Sequence, residues 1–117
     1  MIHGKIWGNT ECLFDKNNVS VHRIEAKKGH MCSKHYHAHK HNMFYVEKGK
    51  LKIEVWQKDY DLIDETIIAD GDSTSISPGL LHRFSALEDT IAFEIYFVEL
   101  NDCDIIRENC GGCNRQL

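Results

Sequence analysis

Four histidines, His35, His37, His39 and His41, occupy every second position between Gly29 and Asn42, and His82 follows the turn Ser77-Pro78-Gly79 further along the chain. Side chains of an extended strand alternate between faces, so this spacing puts all four imidazoles on one side. Several imidazoles on one face, met by another from a distant strand, can converge on a single divalent cation. The tract therefore predicts a metal centre inside a β fold.

The rest of the chain agrees with such a fold. At 117 residues it is expected to form one domain, 1–117, with a real core. A net charge of −4 with scattered Lys and Arg offers no basic face to a phosphate backbone, which argues against nucleic acid as a partner. No apolar run approaches the roughly 20 residues of a membrane span. Met1 to Gly8 lacks the apolar core of a signal peptide. Five cysteines are an odd number without the spacing of a disulfide framework, so a reducing cytoplasm is the expected setting.

Short strands separated by turn signals run along the sequence. Val19–Ala26 alternates apolar and polar residues, Lys27-Lys28-Gly29 is a turn, and the histidine tract reads as the next strand. Met43–Val46 and Leu51–Trp56 flank a hairpin connection at Gly49, with Leu51, Ile53 and Val55 on one face. Gln57–Asp61 reads as a loop and Leu62–Ile68 as a strand. Asp70-Gly71-Asp72 and Pro78-Gly79 bracket a short strand, Ser73–Ser77. Thr90–Leu100 is the longest β run, and its large residues Ile91, Phe93, Ile95 and Phe97 are expected to face the core. Asn101–Asn109 is expected to form a short C-terminal helical segment. Many short strands closed by Gly and Pro turns predict an all-β sandwich or barrel, with a jelly roll as the solution to exposed edges.

Two motifs carry a resemblance to the cupins. Gly29, five residues, His35-Tyr36-His37, four residues, Asn42, six residues and Gly49 follow that family's first motif, and Gly71, five residues, Ser77-Pro78-Gly79, two residues and His82 follow its second. The resemblance implies a double-stranded β-helix, a jelly-roll barrel whose mouth or interior holds a metal ion. The family's ligands are two histidines and a glutamate from the first motif and a histidine from the second; the matching positions here are His35, His37, Asn42 and His82. Lys5-Ile6-Trp7-Gly8, Pro78–Phe84, Phe93–Tyr96 and Asp104–Glu108 are similar to the cupin domain of type II mannose-6-phosphate isomerases. That domain's Arg-Pro is Lys5-Ile6 here, and its final Tyr-Gly-Arg is replaced by Cys110-Gly111-Gly112.

Asn42 fits the family spacing but is a neutral amide. His41 shares strand parity with His35 and His37, which makes a site of His35, His37, His41 and His82 the better expectation on ligand chemistry. His39 is then left beside the site or facing solvent. Such a set suits one divalent transition metal, Zn, Fe, Ni or Mn, and leaves the cation charge uncompensated, which favours an anionic or sugar-like small-molecule ligand.

Glu94 and Tyr96 fall on the face of their strand opposite Ile91 and Phe93. If that face lines the barrel, Glu94 is the candidate general base; otherwise it is a solvated glutamate. Arg83 and Lys34 are either charges for an anionic substrate or ordinary surface charge, and Trp7, Trp56 and Tyr36 are pocket aromatics or packing. Cys110-Gly111-Gly112-Cys113 has CxxC spacing without the βαβ setting of a redox motif. Three functions stay open: a metal-dependent isomerase or epimerase of small sugars or sugar phosphates, a histidine-ligated dioxygenase, and a non-enzymatic binding or sensor domain. A homodimer is expected, because open jelly rolls commonly cover edge strands by pairing.

Overall fold

A computed structural model describes residues 1–57, 62–99 and 112. The expected C-terminal helical segment and the Cys110–Cys113 pair lie outside the described residues. Within them are nine strands: β1 (Ile2–Lys5), β2 (Gly8–Lys16), β3 (Val19–Ala26), β4 (His41–Lys48), β5 (Lys50–Trp56), β6 (Ile63–Ala69), β7 (Ser73–Ile76), β8 (Leu81–Ala86) and β9 (Thr90–Phe97). They form two antiparallel sheets, six strands in the order β1-β2-β3-β9-β4-β7 and three in the order β6-β5-β8. No helix among the described residues is long and apolar enough to cross a membrane.

The expected all-β jelly roll is the fold found. Its core lies between the sheets: Ile24, Phe44, Val46, Ile76 and Ala92 from the larger one meet Leu51, Ile53, Ile68, Phe84 and Ala86 from the smaller. The β4–β5 hairpin turns on Gly49, at φ +117°, where an added Cβ would stand 2.5 Å from Thr90 Oγ1 and 2.6 Å from the Asp89 carbonyl. No side chain fits there.

Two expectations need correction. The first concerns β9, whose inward residues are Thr90, Ala92 and Glu94, while Ile91, Phe93, Ile95 and Phe97 are half-buried on the outer face. The pairings explain this. Ala92 sits opposite Ile24 and Val46, Glu94 opposite His22 and Phe44, and Tyr96 opposite Ser20 and Asn42. Between two closely packed sheets the middle strand has room for Ala92, and the large odd residues pack instead on outer-face neighbours such as Tyr45, 6.4 Å from Phe93.

Ahead of Val19–Ala26, the first strand that the patterning marks, the chain also forms β1 and β2; all four β1 residues are exposed, and their pairing with β2 defines the strand. The second correction concerns the histidine tract, which is not a regular strand. Between β3 and β4 it touches β8 through two isolated bridges, Met31 with Ser85 and His35 with His82. From one bridge to the next the chain advances four residues (31 to 35) against three on β8 (85 to 82). That extra residue is a bulge, and bulges re-aim side chains.

Candidate metal centre

The bulged segment is fastened to β8 residue by residue. Ala86 N–H donates to the His30 carbonyl at 2.9 Å, Cys32 N–H to Phe84 at 3.1 Å, and His35 and His82 exchange backbone bonds of 3.1 and 2.9 Å. Beyond it, Gly79 N–H donates to the His37 carbonyl at 2.7 Å, so the Pro78-Gly79 turn holds His37 as well as presenting His82. The outer side is braced by Trp56. Lys34 Nζ lies 4.2 Å from its ring centre and Arg83 Cζ 5.4 Å, while Arg83 Nε donates to the buried Glu54 carboxylate at 2.9 Å. Lys34 and Arg83, which adjoin His35 and His82 in sequence, thus both lie over the Trp56 ring.

His35, His37 and His82 come together, each offering one ring nitrogen, with these atoms all within 4.8 Å of one another. The His35–His82 ring centres are 4.7 Å apart and the His35–His37 centres 5.1 Å. His35 Nδ1 is 2.8 Å from the Ser33 carbonyl and His82 Nδ1 2.9 Å from the Leu80 carbonyl. A carbonyl only accepts, so both rings carry their proton on Nδ1 and keep the Nε2 lone pair for a ligand, as ligating histidines do. Burial above all, then the neighbouring imidazoles, lowers the pKa of His37; burial also leads in lowering that of His82, against the Leu80 carbonyl. Both rings are therefore held neutral, the form that binds metal.

His41 is not part of this group. It begins β4 on the outer face, its ring stacked at 5.2 Å on Phe97 and its Nε2 3.4 Å from Glu99 Oε2. The parity expectation fails because the tract does not continue as a strand into β4. Asn42, the next residue, points inward and is 1% exposed, its Nδ2 3.3 Å from His82 Nε2. His39 is exposed.

The donors fit a cation. Among the described residues the buried side-chain polar atoms without a partner are His37 Nε2 and Asn42 Oδ1, both in this cluster, and a cation is the partner that satisfies such lone pairs. Three imidazoles suit a first-row transition ion without identifying it.

A cavity of about 630 Å³ opens beside the histidines, with His35, Cys32, Glu94 and Tyr96 in its wall. The Tyr96 hydroxyl donates to Glu94 Oε2, and the Tyr96 ring packs 4.8 Å from that of His37. Burial raises the Glu94 pKa above the ordinary carboxylate range, although the Tyr96 hydrogen bond opposes the shift. Burial first, and then the Glu94 charge, keeps Tyr96 protonated. Cys32, its thiol pushed up to about 11 mainly by burial, accepts the Phe84 N–H at 3.2 Å and is a packing residue. His22, opposite Glu94 on β3, also lines the cavity, and burial lowers its pKa despite Asp15. The alternation Ala92-Glu94-Tyr96, taken as the inner face, is the signal that would have exposed this polar wall.

Several solved structures share the fold. KdgF from Halomonas sp. aligns over 86% of this chain and 90% of its own at 14% identity, TM-score 0.72. CapF, a capsular polysaccharide assembling protein from Staphylococcus aureus, aligns over 87% of this chain at 22% identity, TM-score 0.74, and a Bacillus subtilis oxalate decarboxylase over 85% at 18%, TM-score 0.73. This chain spans only 31% and 27% of those two proteins. No curated protein matches the chain by sequence. The cupin domain model matches residues 22–99, which contain both bridges and all three clustered histidines. The chain belongs to the cupin family.

Proposed function

We propose that this cupin is a metal-dependent isomerase or epimerase of small sugars or sugar phosphates, with His35, His37 and His82 holding the ion and Glu94 moving the proton. The observation that carries this reading is Glu94 itself: a carboxylate 7% exposed, in the wall of a cavity that also presents His35. A divalent cation held by the histidines supplies Lewis acidity toward a carbonyl or hydroxyl oxygen. Glu94 accepts the proton from the carbon next to the carbonyl. It returns that proton to the neighbouring carbon in isomerisation, while the hydroxyl proton passes to the former carbonyl oxygen; epimerisation instead takes a proton from solvent on the opposite face of the same carbon. Burial makes Glu94 a stronger base than a solvated carboxylate, and the Tyr96 hydroxyl fixes one of its oxygens. The likeness of Lys5–Gly8 and Pro78–Phe84 to the type II mannose-6-phosphate isomerase domain supports the same chemistry.

The test is a panel of aldoses, ketoses and their phosphates, assayed with metal-loaded protein for turnover and for exchange of the carbon-bound proton with deuterated water. Glu94→Gln should lower either rate by about 10²–10⁴, with metal content unchanged. Inactivity of the metal-loaded protein across the panel, or full activity of the variant, refutes the proposal.

The buried Asn42 favours a second reading. A site with three imidazoles and no carboxylate also suits a ferrous dioxygenase, and oxygen uptake that needs iron and vanishes with zinc would select it over the isomerase.

A further inference from the structure

The cavity that presents His35 also has Lys5, Trp7, Thr10 and His22 in its lining, and among the described residues Lys5 is the only Lys or Arg there. Lys5 ends β1 and pairs with Gly8 across the two-residue turn Ile6-Trp7, a turn fixed at both of its anchors. Trp7 is 9% exposed, its ring edge-on to Phe84 at 4.9 Å, and its carbonyl accepts the Lys27 N–H at 2.8 Å. Gly8 runs so close to β3 that an added Cβ would stand 1.8 Å from the Glu25 carbonyl. The Lys5 backbone is therefore held at the cavity by a buried neighbour, although its own side chain is exposed. Lys5 makes none of the ion pairs among the described residues.

We infer that Lys5 is a specificity residue that selects ligands with a terminal anionic group, a carboxylate or a phosphate monoester, in the cavity that also presents His35. The inference rests on the function proposed above and adds the charge of the substrate to it. The cavity, at about 630 Å³, is in the range that encloses a small ligand. Such a ligand places its hydroxyl and carbonyl oxygens at the histidines and its anionic terminus at Lys5. The three histidines and Asn42 contribute no negative charge of their own, so they leave a cation's charge for an anionic ligand to balance.

Isothermal titration of metal-loaded protein with gluconate, glucose 6-phosphate and glucose tests this. At least one of the two anions should bind about tenfold tighter than glucose, with a preference that shrinks as salt is raised. The tighter of the two identifies the group as carboxylate or phosphate. Lys5→Met should bring that anion to the affinity of glucose and leave glucose binding and metal content unchanged, while Lys5→Arg keeps the preference. Metal-loaded protein that binds all three alike, or a Lys5→Met variant that still prefers the anion, overturns the inference alone. Protein that retains no metal and binds none of the three overturns the underlying function as well.

Discussion

Replacing Arg83 by methionine should destabilise the fold far more than replacing its partner Glu54 by glutamine. The two face each other across β5 and β8, with side-chain exposures of 32% for Arg83 and 7% for Glu54. Losing the arginine strands a buried carboxylate, a change of about 3–5 kcal/mol for a fully buried pair; the partial exposure of Arg83 reduces this to about 3 kcal/mol. Losing the carboxylate charge leaves an amide that still accepts a hydrogen bond, beside a guanidinium that can turn to water and keeps its Trp56 contact, so Glu54→Gln should cost about 1 kcal/mol. The double variant buries a neutral amide beside an apolar side chain and should recover about 1–2 kcal/mol relative to Arg83→Met. Urea unfolding of the metal-free proteins reads all three, since about 3 kcal/mol moves the midpoint by roughly 2 M at ordinary slopes. Equal costs for the two single variants, or strict additivity in the double, would refute the buried-carboxylate reasoning.

Alanine at His37 or His82 should abolish stoichiometric metal retention by elemental analysis, whereas His41→Ala should retain it, because His41 faces outward onto Phe97. Metal-free protein should lose stability as pH falls. His37 and His82 have folded pKa values below the ordinary 6.5, so the unfolded chain binds more protons on acidification, and the contribution present above 6.5 disappears as pH drops through the folded values. Melting temperatures from about pH 8 to about pH 5 should show this slope, and it should flatten when both histidines are replaced by glutamine. The half-buried apolar outer face of the six-stranded sheet, with Val21 and Met43 on either side of Ile95 in cross-strand register and Phe93 two residues along the same strand, is expected to pair two copies. Ile95→Lys should then sediment as a monomer where the parent chain sediments as a dimer.

Where one face of a strand was apolar and the other polar, the sequence was readable. Val19–Ala26 is β3 residue for residue, and Leu51 and Ile53 face the core as their alternation implies. The two motifs located His35, His37 and His82 because ligands two apart and a distant histidine after a Pro-Gly turn are local features. What escaped depended on contacts invisible along the chain. The bulge opposite β8 needs the pairing of two distant segments, and it breaks the parity that recommended His41. β9 misled because both its faces carry apolar residues: only its neighbours Ile24 and Val46 reveal that the narrow interior takes Ala92, which turns Glu94 and Tyr96 inward. Lys5 escaped because its position comes from the buried Trp7 and not from any pattern of its own.

The inner face of the six-stranded sheet changes character along β9. Ala92 lies in a row with Ile24 and Val46, Glu94 in the next with His22 and Phe44, and Tyr96 in the last with Ser20 and Asn42. The apolar rows hold the sheets together, while the polar rows must find partners inside a dry interior, where an unmet lone pair costs about 1–3 kcal/mol. Glu94 meets Tyr96, and His82 meets the amide of Asn42. His37 Nε2 and Asn42 Oδ1 are left over, at the place where a third imidazole faces the same space. A fold that served only as a scaffold would gain stability by filling these positions with leucine and valine. Two unpaired acceptors in a cluster of three imidazoles make sense once a cation completes the interior, so occupancy of the site and stability of that end of the barrel are one physical problem.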